Sequence, residues 1–236
     1  MEIILNKKNG IILHTEKKYC TEDITITVGF KRFSGEFVDL DSNLPIEYIE
    51  LDYIESTGTQ YIDLEYTPNT NTKVELNAGG ITEKTFPVTS GGWFIGGRTA
   101  YEQEAFGTYY NPGQQALYAA FGNQQISAEV LSTDFYNKDH TFVIDRNGLF
   151  LDNKKLFSFN NTFTGQYPLY LFTINLAGFT ANLLSYKFYS CTIWEDGNIV
   201  REYIPCKRRN DAVIGVYDTI TQQFFTNKGT GEFLGG

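Results

Sequence analysis

Glu50, Asp52 and Glu55 form an E-x-D-x-x-E run inside the stretch IEYIELDYIESTGTQYIDL, residues 46–64. Paired carboxylates can perform retaining glycoside chemistry, in which one attacks the sugar and a second, about 5–5.5 Å away, serves as acid and then base. A regular strand resists that use. On it, residues 50 and 52 share a face at about 6.6–7 Å, while residue 55 points to the other side. Only a bulge between Asp52 and Glu55 brings the third carboxylate round. The alternative is plain structure, with Ile49, Leu51 and Tyr53 toward a sheet interior and Glu50 and Asp52 in solvent.

A second stretch carries binding chemistry. GGWFIGGRTAYEQEAFGTYYNPGQQALYAAFGNQQ, residues 91–125, interleaves Trp93, Tyr101, Tyr109, Tyr110 and Tyr118 with Arg98, Gln103, Gln114 and Gln115. Aromatic faces that stack on sugar rings, flanked by groups that hydrogen-bond hydroxyls, have this composition. The candidate ligand-binding set is Trp93, Arg98, Tyr101, Tyr109, Tyr110, Gln114 and Tyr118. The competing fate of each ring is to fill the core.

Other groups offer less. His14 and His140 are the only two histidines, too few for a histidine-rich metal site or a triad. Asp134, Asp139 and Asp145 are the one set suited to a calcium ion at a loop rim, the alternative being solvated turn caps. No cofactor is otherwise implied. Gly91-Gly92 and Gly96-Gly97 precede no helix and make no phosphate loop.

The elements that must position these residues are strands. Of 236 residues 16% are aromatic, with 19 Phe and 16 Tyr against one Met, a bias that suits pleated, half-buried surfaces. TFVID-RNG-LFLDN predicts a hairpin turning at Asn147-Gly148, and YKFYSCTIW-EDG-NIVREYIP one turning at Asp196-Gly197. VIGVYD-TITQQ-FFTN predicts a third. No window of a dozen residues holds a helical period, and YNPGQQALYAA is broken by Pro112 and Gly113. The fold class is all-β, a two-sheet antiparallel sandwich of many short strands.

A net charge of −9 argues against a nucleic-acid partner. No apolar run approaches the ~20 residues of a spanning helix, and the N-terminus lacks a signal-peptide core. The expectation is therefore no membrane insertion and synthesis without a signal peptide. A two-residue turn at Asp196-Gly197 would set Cys206 opposite residue 187 rather than Cys191, too far for a disulfide. Cys20, Cys191 and Cys206 are expected as free thiols.

The first residues read as a separate piece. Residues 1–33 supply two or three strands with a turn at Asn9-Gly10, and 34–45 a polar linker. About thirty residues bury no stable core alone, so this piece is an attachment segment that docks on a sister copy, a partner or the main domain. The main domain is 46–236.

Several segments carry a resemblance. Tyr53-Ile54-Glu55-Ser56-Thr57-Gly58-Thr59-Gln60-Tyr61-Ile62-Asp63 resembles the opening strand of laminin-G-like, concanavalin A-like jelly rolls of phage and prophage structural proteins. Phe94-Ile95-Gly96-Gly97-Arg98 and Leu169-Tyr170-Leu171-Phe172-Thr173-Ile174-Asn175 are similar to later strands of that family. Tyr186-Lys187-Phe188-Tyr189, Val200 to Cys206, Ile214 to Asp218 and Phe224-Phe225-Thr226-Asn227 resemble its closing series, and GIILHTEKKYCTEDITITV a small phage tail or fibre segment. The E-x-D-x-x-E run in turn resembles the catalytic signature of laminarinase- and lichenase-type glucanases. In those enzymes Glu50 would be nucleophile, Asp52 its tuner and Glu55 the acid/base.

The phage resemblance implies a jelly-roll sandwich in a non-enzymatic virion protein: a tail or head fibre, baseplate or capsid decoration, exposed on the particle and made in the bacterial host cytoplasm. Other virion proteins would hold the N-terminal segment, and the sandwich would bind host-surface glycan; a homotrimer suits a fibre. The alternatives are a decoration that binds no glycan and a glucanase using Glu50, Asp52 and Glu55. The glucanase fits less well, because the run opens the domain and the chain has only Trp93 and Trp194 for a glucan cleft.

Overall fold

A computed structural model describes residues 44–86, 91–99 and 104–236, together with the backbone of four strands within the first 43 residues. Two compact units emerge, Met1–Ile46 and Glu47–Gly236. The first contains β1 (Glu2–Asn6), β2 (Gly10–His14), β3 (Ile24–Val28) and β4 (Lys31–Gly35). They form two separate antiparallel hairpins, β1 with β2 and β3 with β4. Four strands thus stand where two or three were expected. Gly10, expected in the turn, begins β2, paired with Asn6, and Asn9 lies outside the described residues. Ser34 and Gly35, expected in the linker, close β4, and residues 36–43 lie outside the described residues, as does Cys20.

The second unit opens with β5 (Tyr48–Glu50), β6 (Ile54–Glu55), β7 (Ile62–Asp63), β8 (Thr72–Gly79), β9 (Gly92–Arg98), β10 (Ala105–Asn111) and β11 (Ala116–Gly122). There follow β12 (Gln124–Glu129), β13 (His140–Asp145), β14 (Gly148–Leu151), β15 (Lys154–Phe157), β16 (Tyr170–Leu171), β17 (Ile174–Leu176) and β18 (Phe179–Ala181). Last come β19 (Lys187–Glu195), β20 (Asn198–Arg208), β21 (Ile214–Asp218), β22 (Gln223–Thr226) and β23 (Leu234–Gly235). The only helical turns among the described residues are Glu83–Thr85 and Ser132–Phe135.

Two antiparallel sheets pack as a sandwich, without closing into a barrel. The first runs β15-β14-β13-β8-β19-β20-β21-β22, with β5, β6 and β23 attached beside β20 and β19. The second runs β12-β11-β10-β9-β16-β7, and β17 joins β9 in parallel while pairing β18. Period-2 patterning sets the faces. In β8, Thr72, Val74, Leu76 and Ala78 are buried and Lys73, Glu75 and Asn77 half-buried; β13 alternates in the same way. A strand with one apolar face can only do this against a second layer.

Aromatic rings fill the space between the layers. Phe94 of the second sheet stacks on Phe142 of the first at 5.0 Å, and Tyr110 lies on Phe135 at 4.3 Å. Each such buried ring contributes roughly 1.5–3 kcal/mol. Tyr110, Tyr186 and Tyr203 are fully buried, and each hydroxyl donates to a backbone carbonyl: Val130 at 2.9 Å, Phe94 at 2.8 Å and Leu64 at 2.7 Å. Among the described residues no buried phenol is left unsatisfied.

The opening and closing loops of the unit lock together. The Gln60 carboxamide accepts from the Thr57 amide at 2.8 Å and the buried Ser56 hydroxyl at 3.1 Å, and donates to the Glu232 carbonyl at 3.0 Å. Backbone bonds from Lys228 to Tyr61 and from Thr230 to Thr59 continue the clasp. The stretch STGTQ is thus explained by closure of the sandwich.

Two hairpins differ in detail from expectation. Asp145 pairs with Gly148 across Arg146-Asn147, and of Asn147 and Gly148 only Gly148 has positive φ, 137°. Asn147 instead donates its amide to the Asp145 carboxylate at 2.6 Å, a side-chain turn in place of the expected Asn-Gly turn. At Asp196-Gly197 the φ values of 51° and 80° are those of the expected tight turn. Beyond it a bulge between Ile193 and Trp194 moves the register by one residue. The β19–β20 pairing ends at Cys191 with Tyr203; beyond it β6 takes the place beside β19, so Lys187 faces Glu55, and Cys206 pairs with Glu50 and Gly215. Cys191 and Cys206 are free and buried.

Candidate functional site

The outward face of the second sheet carries a ladder of rings. Pairing sets Trp93 of β9 beside Tyr109 of β10, and Tyr109 beside Tyr118 of β11. Their ring centroids are 4.7 Å and 4.5 Å apart, the tyrosine pair tilted by only 11°. Trp93 faces outward because a bulge between its row and that of Ile95 and Thr108 leaves Phe94 unmatched, pointing into the core. The bed under the rings is small: Ala105, Ala120 and Ile174 pack on Trp93, and a Cβ on Gly96 would sit 2.9 Å from the indole.

Hydrogen-bonding groups line the ladder. Gln125 of β12 donates to the Tyr109 hydroxyl at 3.1 Å, and the Tyr118 hydroxyl donates to the Gln114 carboxamide in the β10–β11 turn. Gln114 is itself fixed by its amide bond to Asn111 at 3.2 Å. The Arg98 guanidinium approaches the Trp93 ring at 5.9 Å. Trp93 is only 6% exposed, so the hydroxyls, the amides and the outer ring edges meet solvent. Because the rings stack on one another, the faces expected to hold a sugar are largely occupied.

The sequence set is thus partly assembled. Trp93, Arg98, Tyr109, Gln114 and Tyr118 share this face, whereas Tyr101 lies outside the described residues. Tyr110 is a correction: it is fully buried, donates to Val130 and has its phenol pushed up to about 12 by burial, then by Tyr136. Neighbours on a strand point to opposite faces, so Tyr109 and Tyr110 cannot both line one surface. Gln115 turns away to accept from Ser132 at 3.2 Å.

The carboxylate run sits elsewhere. Glu50 belongs to β5, paired with β20, while Glu55 belongs to β6, between β19 and β23. Glu50 and Glu55 therefore lie on the first sheet, away from the ladder, with Asp52 in the segment between their strands, and Glu50 and Asp52 are exposed. The run is divided between two short strands with different partners. The bulged single strand that the glycosidase geometry needs is replaced by a break at Leu51 to Tyr53, whose amides bond Pro205 and Gly236. The plain alternative is modified as well: Ile54 is the fully buried residue here, and Ile49, Leu51 and Tyr53 are half-buried.

The aspartates weighed for calcium have separate partners. Asp134 lies 3.9 Å from the Lys138 ammonium, Asp139 accepts from the Tyr189 hydroxyl at 2.9 Å, and Asp145 serves its turn. Among the described residues no group of three or more His, Cys, Asp or Glu could hold a metal ion. His140 is buried, with its ring nitrogens 2.8 Å from the Asp152 carboxylate and 2.9 Å from the Phe135 carbonyl. Its role is to pin the turn after β14 to Phe135. Burial raises both thiols, that of Cys206 to about 12 with Glu50 adding to it; neither is a nucleophile at neutral pH.

Sequence reasoning missed Gln125, which reaches the ladder from the next strand, and the signal for it was present. QQISAE alternates, and Gln125, Ser127 and Glu129 form its exposed row. It also missed Phe179, 75% exposed on the β17–β18 hairpin. Among the described residues no helix is long and apolar enough to cross a membrane. Compared with known proteins, the chain matches no family model and no curated sequence.

Proposed function

We propose that this chain is a non-enzymatic structural or accessory protein of a phage particle, a tail or head fibre, baseplate or capsid-decorating component. Its sandwich, a concanavalin A-like jelly roll, is displayed on the particle surface and binds host-surface carbohydrate. The binding half rests on one observation, the Trp93–Tyr109–Tyr118 ladder flanked by Gln114, Gln125 and Arg98. Hydroxyl and amide groups held at fixed spacing on a sheet match the hydroxyl-rich surface of a sugar chain. The virion half rests on the resemblance of residues 46–236 to phage sandwich domains. In it the unit Met1–Ile46 serves as the attachment piece to other virion proteins.

A decoration without glycan binding is the second reading, and the mutual stacking of the three rings favours it. A printed array of bacterial surface polysaccharides separates the two. The full chain, multivalently displayed, is expected to retain at least one polysaccharide and to lose it on Gln125→Ala with Tyr118→Ala. Retention of none sends the assignment to decoration. For a glucanase, release of reducing ends from laminarin, lichenan or host wall polysaccharide, abolished by Glu50→Gln, would overturn the non-enzymatic reading. The division of Glu50, Asp52 and Glu55 between two strands speaks against that outcome.

A further inference from the structure

Phe179 stands apart from the other aromatic side chains. It is the only aromatic among the exposed large hydrophobics of the described residues, at 75%. Several other rings lie under the chain's own cations. On the first sheet Lys73 lies over Trp194 at 4.0 Å, Lys187 over Tyr53 at 3.9 Å, Arg208 over Phe224 at 5.1 Å and Lys155 over Phe150 at 5.7 Å. No such cation and no ring contact covers Phe179 among the described residues.

Its position follows from register. In β9, Arg98 pairs with Leu176 of β17, and Leu176 pairs with Phe179 of β18. Two pairs away, Ile174 faces Ala181; Ile174 shares a buried cluster with Trp93, and Ala181 packs against that cluster. Residues two apart share a face, so Leu176 lies on the face of Ile174, and Phe179 on the face of Ala181. The row Arg98–Leu176–Phe179 is therefore continuous with the ladder. From β11 to β18 the face spans four strand spacings, roughly 19 Å.

The hairpin is also held rigidly. Ala177 and Gly178 turn it at φ 50° and 94°, the tight geometry of a two-residue loop. Asn175, 1% exposed, donates to the Pro168 carbonyl at 3.0 Å and accepts from the Gly178 amide at 2.7 Å. Ala177 bonds the Arg98 carbonyl at 3.0 Å, and Thr173 bonds that of Ala181 at 2.7 Å. A bare ring on a pinned element loses little freedom when something stacks on it.

We propose that Phe179 is the stacking subsite of the binding face, and that the ligand is a glycan chain of several sugar units lying from the Tyr118 end across Arg98 to this hairpin. The proposal rests on the glycan-binding reading above and adds to it a length requirement and a residue. It also supplies the free aromatic face that the self-stacked ladder lacks.

The test uses the full chain on an array of bacterial cell-wall and capsular polysaccharides. Fragments of whichever polysaccharide is retained are then graded in length from single sugars upward. Phe179→Ala is expected to weaken binding of the longer fragments about tenfold, the size of one aromatic contact. The shortest fragments retained should be unaffected, and the unfolding midpoint unchanged, because the ring is already exposed. If Phe179→Ala binds long fragments as the parent does while Gln125→Ala weakens them, the Phe179 subsite is wrong and the glycan face stands. Retention of no polysaccharide by the parent chain removes both.

Discussion

Tyr186 donates its hydroxyl to the carbonyl oxygen of Phe94 at 2.8 Å, and its ring meets the Phe94 ring edge-on at 5.3 Å. The bond joins the residue leading into β19, in the first sheet, to β9 in the second. Both side chains are completely buried. Removing the hydroxyl keeps the ring, and the Phe94 carbonyl keeps its bond from the Phe172 amide at 2.9 Å, so the cost is that of one hydrogen bond, about 0.5–1.5 kcal/mol. Tyr186→Phe should therefore lower the unfolding free energy by that amount in a urea titration with unchanged slope. Tyr118→Phe, at a half-exposed hydroxyl, should change it by less than about 0.5 kcal/mol.

The clasp between STGTQ and TNKGTG makes a second prediction. Gln60 is 2% exposed and serves Ser56, Thr57 and Glu232 through one carboxamide. Gln60→Ala strands several of these groups together and should cost about 2 kcal/mol or more. Gly229→Ala should be at least as damaging, since a Cβ there would run into the Thr59 carbonyl. Both variants should raise protease sensitivity at the two loops first, because local opening precedes global unfolding. Wild-type stability in Gln60→Ala would mean that the clasp does not hold the ends.

Alkali should unfold the sandwich in a defined window. Burial raises the Cys206 thiol from 9.0 to about 12 and the Tyr110 phenol from 10.0 to about 12. It raises the Cys191 thiol and the Tyr186 and Tyr203 phenols as well. Each group stays protonated in the folded chain after the unfolded chain has lost its proton. The stability they contribute is thus complete below about pH 9 and lost as pH rises toward the folded values. Thermal midpoints should be level up to about pH 9 and then fall. In Cys191→Ala with Cys206→Ala the fall should begin near pH 10, at the tyrosine value. Neither thiol should react with a thiol reagent until the chain is denatured.

How much of this was legible depended on whether a feature is local. The alternation in β8 and β13 and the tight turn at Asp196-Gly197 could be read from neighbouring residues alone. The opposed faces of Tyr109 and Tyr110 were legible too, since Phe106, Thr108 and Tyr110 share the inward parity of β10. Composition alone hid that. The bulge at Ile193 and Trp194 was not legible, because one extra residue leaves no mark in the alternation yet displaces every later pair. Nor was the parallel pairing of β17 with β9, the non-local contact that carries Phe179 onto the ladder face. The separation of Glu50 from Glu55 likewise needed the C-terminal strand β23, 179 residues beyond Glu55 at Leu234, to take its place beside β6.

Gly96 is the residue on which the ladder rests. A Cβ there would meet the Trp93 indole at 2.9 Å and the Phe106 carbonyl at 3.2 Å. The indole can move outward and the carbonyl cannot, so Gly96→Ala should lift Trp93 off the sheet before it disturbs the strand. Trp93 would then leave Ala105, Ala120 and Ile174, its only buried partners in that cluster. In a Trp194→Phe background Trp93 is the sole tryptophan, and its emission should shift to the red in Gly96→Ala. The cost should be about 1–3 kcal/mol, as for other overpacked sites. Because Tyr109 stacks between Trp93 and Tyr118, displacing the indole also frees one face of Tyr109. Glycan retention should therefore change in this variant while the first-sheet packing of Phe142 and Phe188 does not. A buried, unshifted tryptophan in Gly96→Ala would show instead that Phe106 yields and that the ladder is set by β10.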